Sequence, residues 1–216
     1  MEFTRQVARA LVFVCAALAT VAQAAPVTVT FEDSATGIYP LPVTSSGFTF
    51  TGTGTVGVTA DGLDCSPPCS SNGTNRLLVP GSSFGTTSIT MSRLDNLSFV
   101  LLGLDAAEMF GGIPDLDAAQ IDYVGYLGTS VVMSGALALD GINDGPGGVA
   151  DFESFAIAGA AVVDRIVFSG SGGIAGNNAF AVDNLVTTSV PEPASLALAG
   201  LALGLAGLTA SRRRKL

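Results

Sequence analysis

The 216-residue chain has no histidine and no tryptophan, only three tyrosines and three cysteines, and nine Lys and Arg against 18 Asp and Glu. Each shortage excludes something. Without histidine there is no imidazole to serve as general base or metal ligand, and no Ser-His-Asp triad can be assembled, so hydrolysis of the usual kinds lacks its proton carrier. A formal net charge of -9, with no basic stripe outside the termini, excludes nucleic acid as a partner. No acid or hydroxyl stands in a recognisable catalytic setting, and the expectation is a protein that is not an enzyme. A glycosidase built on carboxylates alone would need two acids about 5 to 10 Å apart in a cleft, a separation that residue order does not measure. Helical periodicity is almost absent between residues 25 and 189.

What is present divides the chain into a body and two ends. Residues 1–24 carry Arg5 and Arg9, an uncharged apolar run from Ala10 to Ala22 and the small-residue triplet Ala22, Gln23, Ala24, which together read as a secretory signal peptide. The run is too short to cross ~30 Å of hydrocarbon as a lasting helix, and Cys15 within it leaves with the signal. At the other end, Val190, Pro191, Glu192 and Pro193 precede an uncharged apolar stretch over residues 194–210, followed by Ser211 and the cluster Arg212, Arg213, Arg214, Lys215. At ~1.5 Å per residue that stretch predicts a transmembrane helix of about 25 Å, just long enough for a thin bilayer. The cations hold its far end in the cytoplasm and leave the body outside.

In order and spacing, the Pro191-Glu192-Pro193 tripeptide, the short apolar helix and the terminal basic cluster resemble the PEP-CTERM sorting signal of Gram-negative bacteria. The resemblance covers residues 190–216. It implies recognition by exosortase, a membrane-embedded cysteine protease that cuts near the tripeptide. It also implies transient anchoring in the inner membrane and delivery of the body to the cell surface or extracellular matrix of cells that make exopolysaccharide. A permanent single-span anchor would use the same helix and the same cations.

The body, residues 25–189, is long enough for one domain that buries ~70% of its unfolded surface. Six of the nine cations and two of the 18 acids lie in the ends, so the body keeps 16 acids and three cations, a net charge of -13. Such a surface favours solubility and draws divalent cations. Short runs of period two, separated by Gly, Pro, Ser, Thr, Asn and Asp, predict an all-β fold. Ten strands are expected, near residues 27–31, 47–53, 76–79, 87–91, 97–104, 120–127, 130–134, 152–156, 162–169 and 180–187, packed as a two-sheet antiparallel sandwich. Phe99, Leu101, Ile166, Phe168, Phe180 and Val182 are the expected core. Long connections fall around residues 32–46, 60–75, 105–119 and 139–151. Three segments, Phe31-Glu32, Gly47-Phe48-Thr49-Phe50 and Phe180-Ala181-Val182-Asp183-Asn184-Leu185, resemble the globular part of short PEP-CTERM proteins. That resemblance implies a jelly-roll-like sandwich similar to carbohydrate-binding modules, with no particular sugar.

Cys65 and Cys69, in Cys65-Ser66-Pro67-Pro68-Cys69, are the cysteines left after signal removal. Export to an oxidising compartment makes a local disulfide the expectation, worth ~2 kcal/mol or less for so short a loop. Asp140, Asp144 and Asp151 fall at positions 1, 5 and 12 of a calcium loop with Gly145 at position 6, but Ile142 stands at position 3 and supplies no ligand. A looser oxygen cage for Ca2+ and a plain acidic turn both remain open there. The jelly-roll resemblance implies a second place for Ca2+, where first and last strands lie side by side. Glu32, Asp183 and Asn184, with Asp33, would supply the oxygens, and the alternative is that Asp183-Asn184 occupies a bulge and Glu32-Asp33 opens a turn. For sugars, Tyr39, Tyr123 and Tyr126 form a thin aromatic platform, with Tyr123 and Tyr126 on opposite strand faces. Thr51-Gly52-Thr53-Gly54-Thr55 reads as a flat row of hydroxyls like those on ice-binding surfaces. The expected function is that of an exported, non-enzymatic surface or extracellular-matrix protein associated with exopolysaccharide, and the alternative is a carbohydrate-binding module with structural calcium.

Overall fold

Among the described residues, three more strands form than the period-two runs mark. A computed structural model describes residues 25–59, 69–110, 115–142 and 151–190. The expected signal peptide, Cys65, most of the Asp140–Asp151 turn, the Pro191-Glu192-Pro193 motif, the 194–210 helix and the basic cluster lie outside the described residues. In chain order the strands are β1 (Val27–Val29), β2 (Gly37–Pro40), β3 (Val43–Ser45), β4 (Phe48–Gly52), β5 (Thr55–Thr59), β6 (Arg76–Val79), β7 (Ser88–Arg93), β8 (Phe99–Glu108), β9 (Gln120–Leu127), β10 (Ser130–Ala138), β11 (Glu153–Ala156), β12 (Arg165–Ser171) and β13 (Phe180–Ser189). They form two antiparallel sheets, so the chain is an all-β sandwich as expected. One sheet runs β11-β8-β13-β6-β5-β2, with β1 also on β13, and the other runs β10-β9-β12-β7-β4-β3.

The unexpected strands are β2, β3 and β5, which share out what reads as loop between residues 32 and 46 and as one continuous threonine run. β2 holds Gly37 and Pro40, and β3 has only three residues, so neither carries a full period of alternation. The Thr51–Thr55 row is not a flat array. β4 ends at Gly52 in one sheet, the chain turns at Gly54 with φ +83°, and β5 begins at Thr55 in the other sheet. A Cβ on Gly54 would lie 2.6 Å from the Gly85 carbonyl carbon, so glycine is what lets the chain cross there.

Between the sheets, alternate side chains interdigitate in the manner of aligned sandwiches. Phe99, Leu101, Ile166, Phe168, Phe180 and Val182, the expected core, are all fully buried. Rings meet directly: Phe31, just past β1, packs on Phe50 of β4 at 5.1 Å between centroids, and Phe48 of β4 meets Phe99 of β8 in the opposite sheet edge-on at 5.2 Å. A second apolar cluster, built on Cys69, Leu78, Ala107, Met109, Phe110, Ala179 and Ala181, packs separately from the main core. It buries the second face of β6, whose residues are buried without alternation, as in any strand covered on both sides. Replacing Phe168 by alanine removes a ring with no solvent contact and is expected to cost about 4 kcal/mol. Urea unfolding followed by fluorescence checks this, and a loss below 1 kcal/mol would show that Phe168 does not fill the core.

β13 organises its sheet. Along one side it pairs with β8 from Phe180↔Glu108 to Ser189↔Phe99. Along the other, β6 covers residues 180–182 and β1 covers residues 185–187. Between those two partners, at Asp183 and Asn184, the β8 register shifts and Asn184 takes a left-handed φ of 47°. The result is a notch in the ladder, at the point where the chain leaving β1 and the chain entering β6 converge.

Candidate functional site

The notch is where the sequence places Glu32, Asp183 and Asn184. Asp183 is fully buried. Its Oδ2 accepts hydrogen bonds from Asn72 Nδ2 at 2.7 Å and Thr74 Oγ1 at 2.9 Å, while Oδ1 is buried with no hydrogen-bond partner. Desolvation is the main influence on this carboxyl and raises its pKa, opposed by the hydrogen bonds from Asn72, the Asn184 backbone and Thr74. Glu32 Oε1 accepts the Asn75 backbone N–H at 2.8 Å, so Glu32 and Asp183 grip the same segment, Asn72–Asn75, as it enters β6. Asn75 closes the notch by donating from Nδ2 to the carbonyls of Phe31 and Ser34.

The other two residues turn elsewhere. Asn184 Nδ2 donates to Asp105 Oδ2 on β8 at 2.8 Å, and Asp33 accepts from Ser45 Oγ and the Ser46 backbone N–H. Those bonds hold the Asp33 carboxyl below its usual range. The structure therefore brings Glu32 and Asp183 to one segment and assigns Asp33 and Asn184 to turn and bulge. Asn72 and Thr74 are the partners that residue order alone does not reveal, because they precede a short strand and carry no charge.

The tyrosines do not assemble a platform. Tyr123 is buried in the main core, Tyr39 packs against that core and donates to the Thr36 carbonyl, and Tyr126 is covered by the Arg165 guanidinium 4.4 Å from its ring centre. A groove of about 390 Å³ beside β5 is lined, among the described residues, by Ile38, Val58, Leu78, Phe84, Met109 and Phe110 and by no titratable side chain. Cys69 is fully buried. Of the expected Asp140–Asp151 loop, Asp144 and Gly145 lie outside the described residues, and Asp140 itself lies close to Glu108 and Glu153. No described helix is long and apolar enough to cross a membrane.

The sandwich is similar in structure to a family 29 carbohydrate-binding module, 9% identical, with 77% of this chain and 93% of that one covered and a TM-score of 0.34. It is also similar to a family 51 module from Clostridium perfringens solved with methyl-galactose, 14% identical, with 75% and 99% covered and a TM-score of 0.31. No curated protein matches the chain in sequence. The C-terminal segment does have a counterpart: residues 189–215 match the PEP-CTERM protein-sorting motif, and the chain is a β-sandwich that carries this sorting signal directly after its last strand.

Proposed function

We propose that this protein is a non-enzymatic surface or extracellular-matrix component, exported, anchored briefly by its tail, released by an exosortase-type protease and retained by exopolysaccharide. The observation that carries the reading is the sorting motif at residues 189–215. That motif marks the chain as exported and as a substrate for processing at the membrane. The absence of histidine from the whole sequence supports a structural rather than catalytic role. A body with a net charge of -13 fits the ion-rich, hydrated setting of a matrix, where divalent cations bridge acidic protein and acidic polymer.

A second reading, a carbohydrate-binding module with structural calcium, draws support from one atom. Asp183 Oδ1 is a fully buried carboxylate oxygen without a donor, and such an atom suits a hard cation. Asp183 and Glu32 would hold the ion in the notch, and Ca2+ there would neutralise the buried charge and tie β1 and β13 to the segment before β6. To test the proposal, the secreted protein is sedimented with the producing cells' own exopolysaccharide, with calcium and with chelator. Co-sedimentation with calcium is expected, and protein left wholly in the supernatant under both conditions would defeat retention by the polymer.

A further inference from the structure

Four strands end the two sheets, and three of them are poor templates for a further strand. β2 has four residues and closes on Pro40, β3 has three residues, and β11 has four and opens on Glu153. Shortness, proline and charge each discourage pairing with another chain. β10 has none of these protections. It runs for nine residues, Ser130–Ala138, and holds no charged residue and no proline. Among the described residues it pairs with β9 alone, so the N–H and C=O groups on its far side present an open ladder.

The side chains leave that ladder accessible. Met133 and Leu137 are buried in the main core, and a Cβ on Gly135 would run into the Tyr123 ring on the same face. Ser134, Ala136 and Ala138 lie exposed on the wet face. The β9 register shifts only between Val131 and Met133, so residues 133–138 keep regular strand geometry. At the shifted end, Val131 and Val132 are apolar yet 57% and 39% exposed.

We infer that β10 joins the β10 of a second copy of this chain, antiparallel, so that two six-stranded sheets become one continuous sheet across a two-fold axis. An open strand edge is complementary to itself after a half turn, and no other recognition feature is needed. A two-fold through Gly135 sets Met133 opposite Leu137 and Ser134 opposite Ala136, which keeps the core-facing and wet faces continuous across the seam. Charge selects this edge as well. The body carries a net charge of -13 and repels its own kind, but β10 brings no charge to the seam. The single acid of β9, Asp122, lies beside Ala136. Across the seam the two copies of Asp122 stand three strand spacings apart, about 14 Å, beyond the ~8 Å screening length at physiological salt. Each copy uses its one long open edge, so pairing closes at a dimer and builds no fibre. A seam ~30 Å long and ~10 Å thick buries about 600 Å² over both copies, which suits reversible pairing with Kd ~10⁻⁵ M. Two joined bodies also hold one polymer more firmly than one does, a consequence that rests on the proposed function as the seam itself does not.

The test is hydrogen exchange, followed by mass spectrometry, on the full-length chain in mild detergent at ~1 µM and ~200 µM, which bracket that Kd. Peptides spanning residues 130–138 are expected to exchange ~5-fold more slowly at the higher concentration by mass action, while interior β12 exchanges alike at both. Ser134→Lys with Ala136→Lys sets ammonium groups against one another across the two-fold, from exposed positions. The same change lowers the net negative charge, so general repulsion falls, and yet the concentration dependence is expected to vanish with β12 still protected. Ile38→Lys, at an 81% exposed position on the β2 edge, is expected to behave as the native chain does. Exchange over residues 130–138 that ignores concentration in the native chain would overturn the seam. So would slowing confined to β2 and β5, or a concentration dependence that survives the paired lysines.

Discussion

Ending the chain at Val190 is expected to leave a folded sandwich that is exported but never processed at the membrane. The reasoning rests on where the last strand stops. β13 closes at Ser189 and the sorting motif occupies residues 189–215, so the cut removes the signal and keeps nearly every ladder bond of the body. Among the described residues, the 13 strands lie between Val27 and Ser189. The measurement compares native and shortened chains by fractionation and immunoblotting, in cells with and without the sorting protease. For the native chain, a larger membrane-bound form should accumulate when the protease is missing. The shortened chain should give a single soluble band of the same size in both strains. If the shortened chain were still retained at the membrane and trimmed there, the tail would not be the sorting element. A cut only ten residues earlier would be a different experiment, because it would remove the strand that holds β1, β6 and β8 together.

The second large effect concerns Asp117. This residue is 6% exposed, its Oδ1 accepts the Phe110 N–H at 2.7 Å, and its pKa is pushed up to about 7. Desolvation is the leading cause, the Phe110 N–H opposes it, and the Glu108 charge adds to it. A carboxyl whose folded pKa lies above its unfolded value of 3.8 favours the folded state while protonated. Its contribution is therefore fully present below about pH 4, declines as the pH rises toward about 7 and stays absent above that, because both states are then ionised. With allowance for partial solvent screening the change amounts to ~3 kcal/mol. Asp117→Asn should remove that share, so that the difference in unfolding free energy between pH 4 and pH 8 in metal-free buffer becomes smaller by ~3 kcal/mol than in the native chain. Equal pH dependence in the two proteins would mean that the Asp117 carboxyl is not desolvated.

Much of the body is legible in its residue order, for a clear physical reason. Where one sheet face is dry and the other wet, as in β4 and β12, alternation marks both the strand and its core residues, and Phe48, Phe50, Ile166 and Phe168 are buried as that pattern requires. The pattern fails in two opposite ways. β2 and β3 are too short to show a period, and Pro40 reads as a break. β6 is apolar on both faces, because a second cluster covers it, and there it identifies a strand without saying which side meets the main core.

The acidic constellations divide along the same line. Asp183 stands out because a buried position on a strong strand carries an acid, yet its partners Asn72 and Thr74 lie more than a hundred residues away and bear no charge. The spacing after Asp140 leaves a loose calcium loop and a plain acidic turn open, and most of that segment lies outside the described residues, but Asp140 itself lies near Glu108 and Glu153, one from the far end of β8 and one from the start of β11. Only strand register brings them together, and register is a property of the assembled sheets.

The placement of β13 also sets a timetable. A polypeptide that leaves the cell amino end first presents β1, β6 and β8 long before the strand they all require, and long-range pairings of this kind form slowly. The ladder is completed only when residues 180–189 emerge, and the sorting segment follows at once. Until that moment the sheet built on β13 stays open, although β12 has already completed the other, so the closing of the sandwich coincides with the end of translocation.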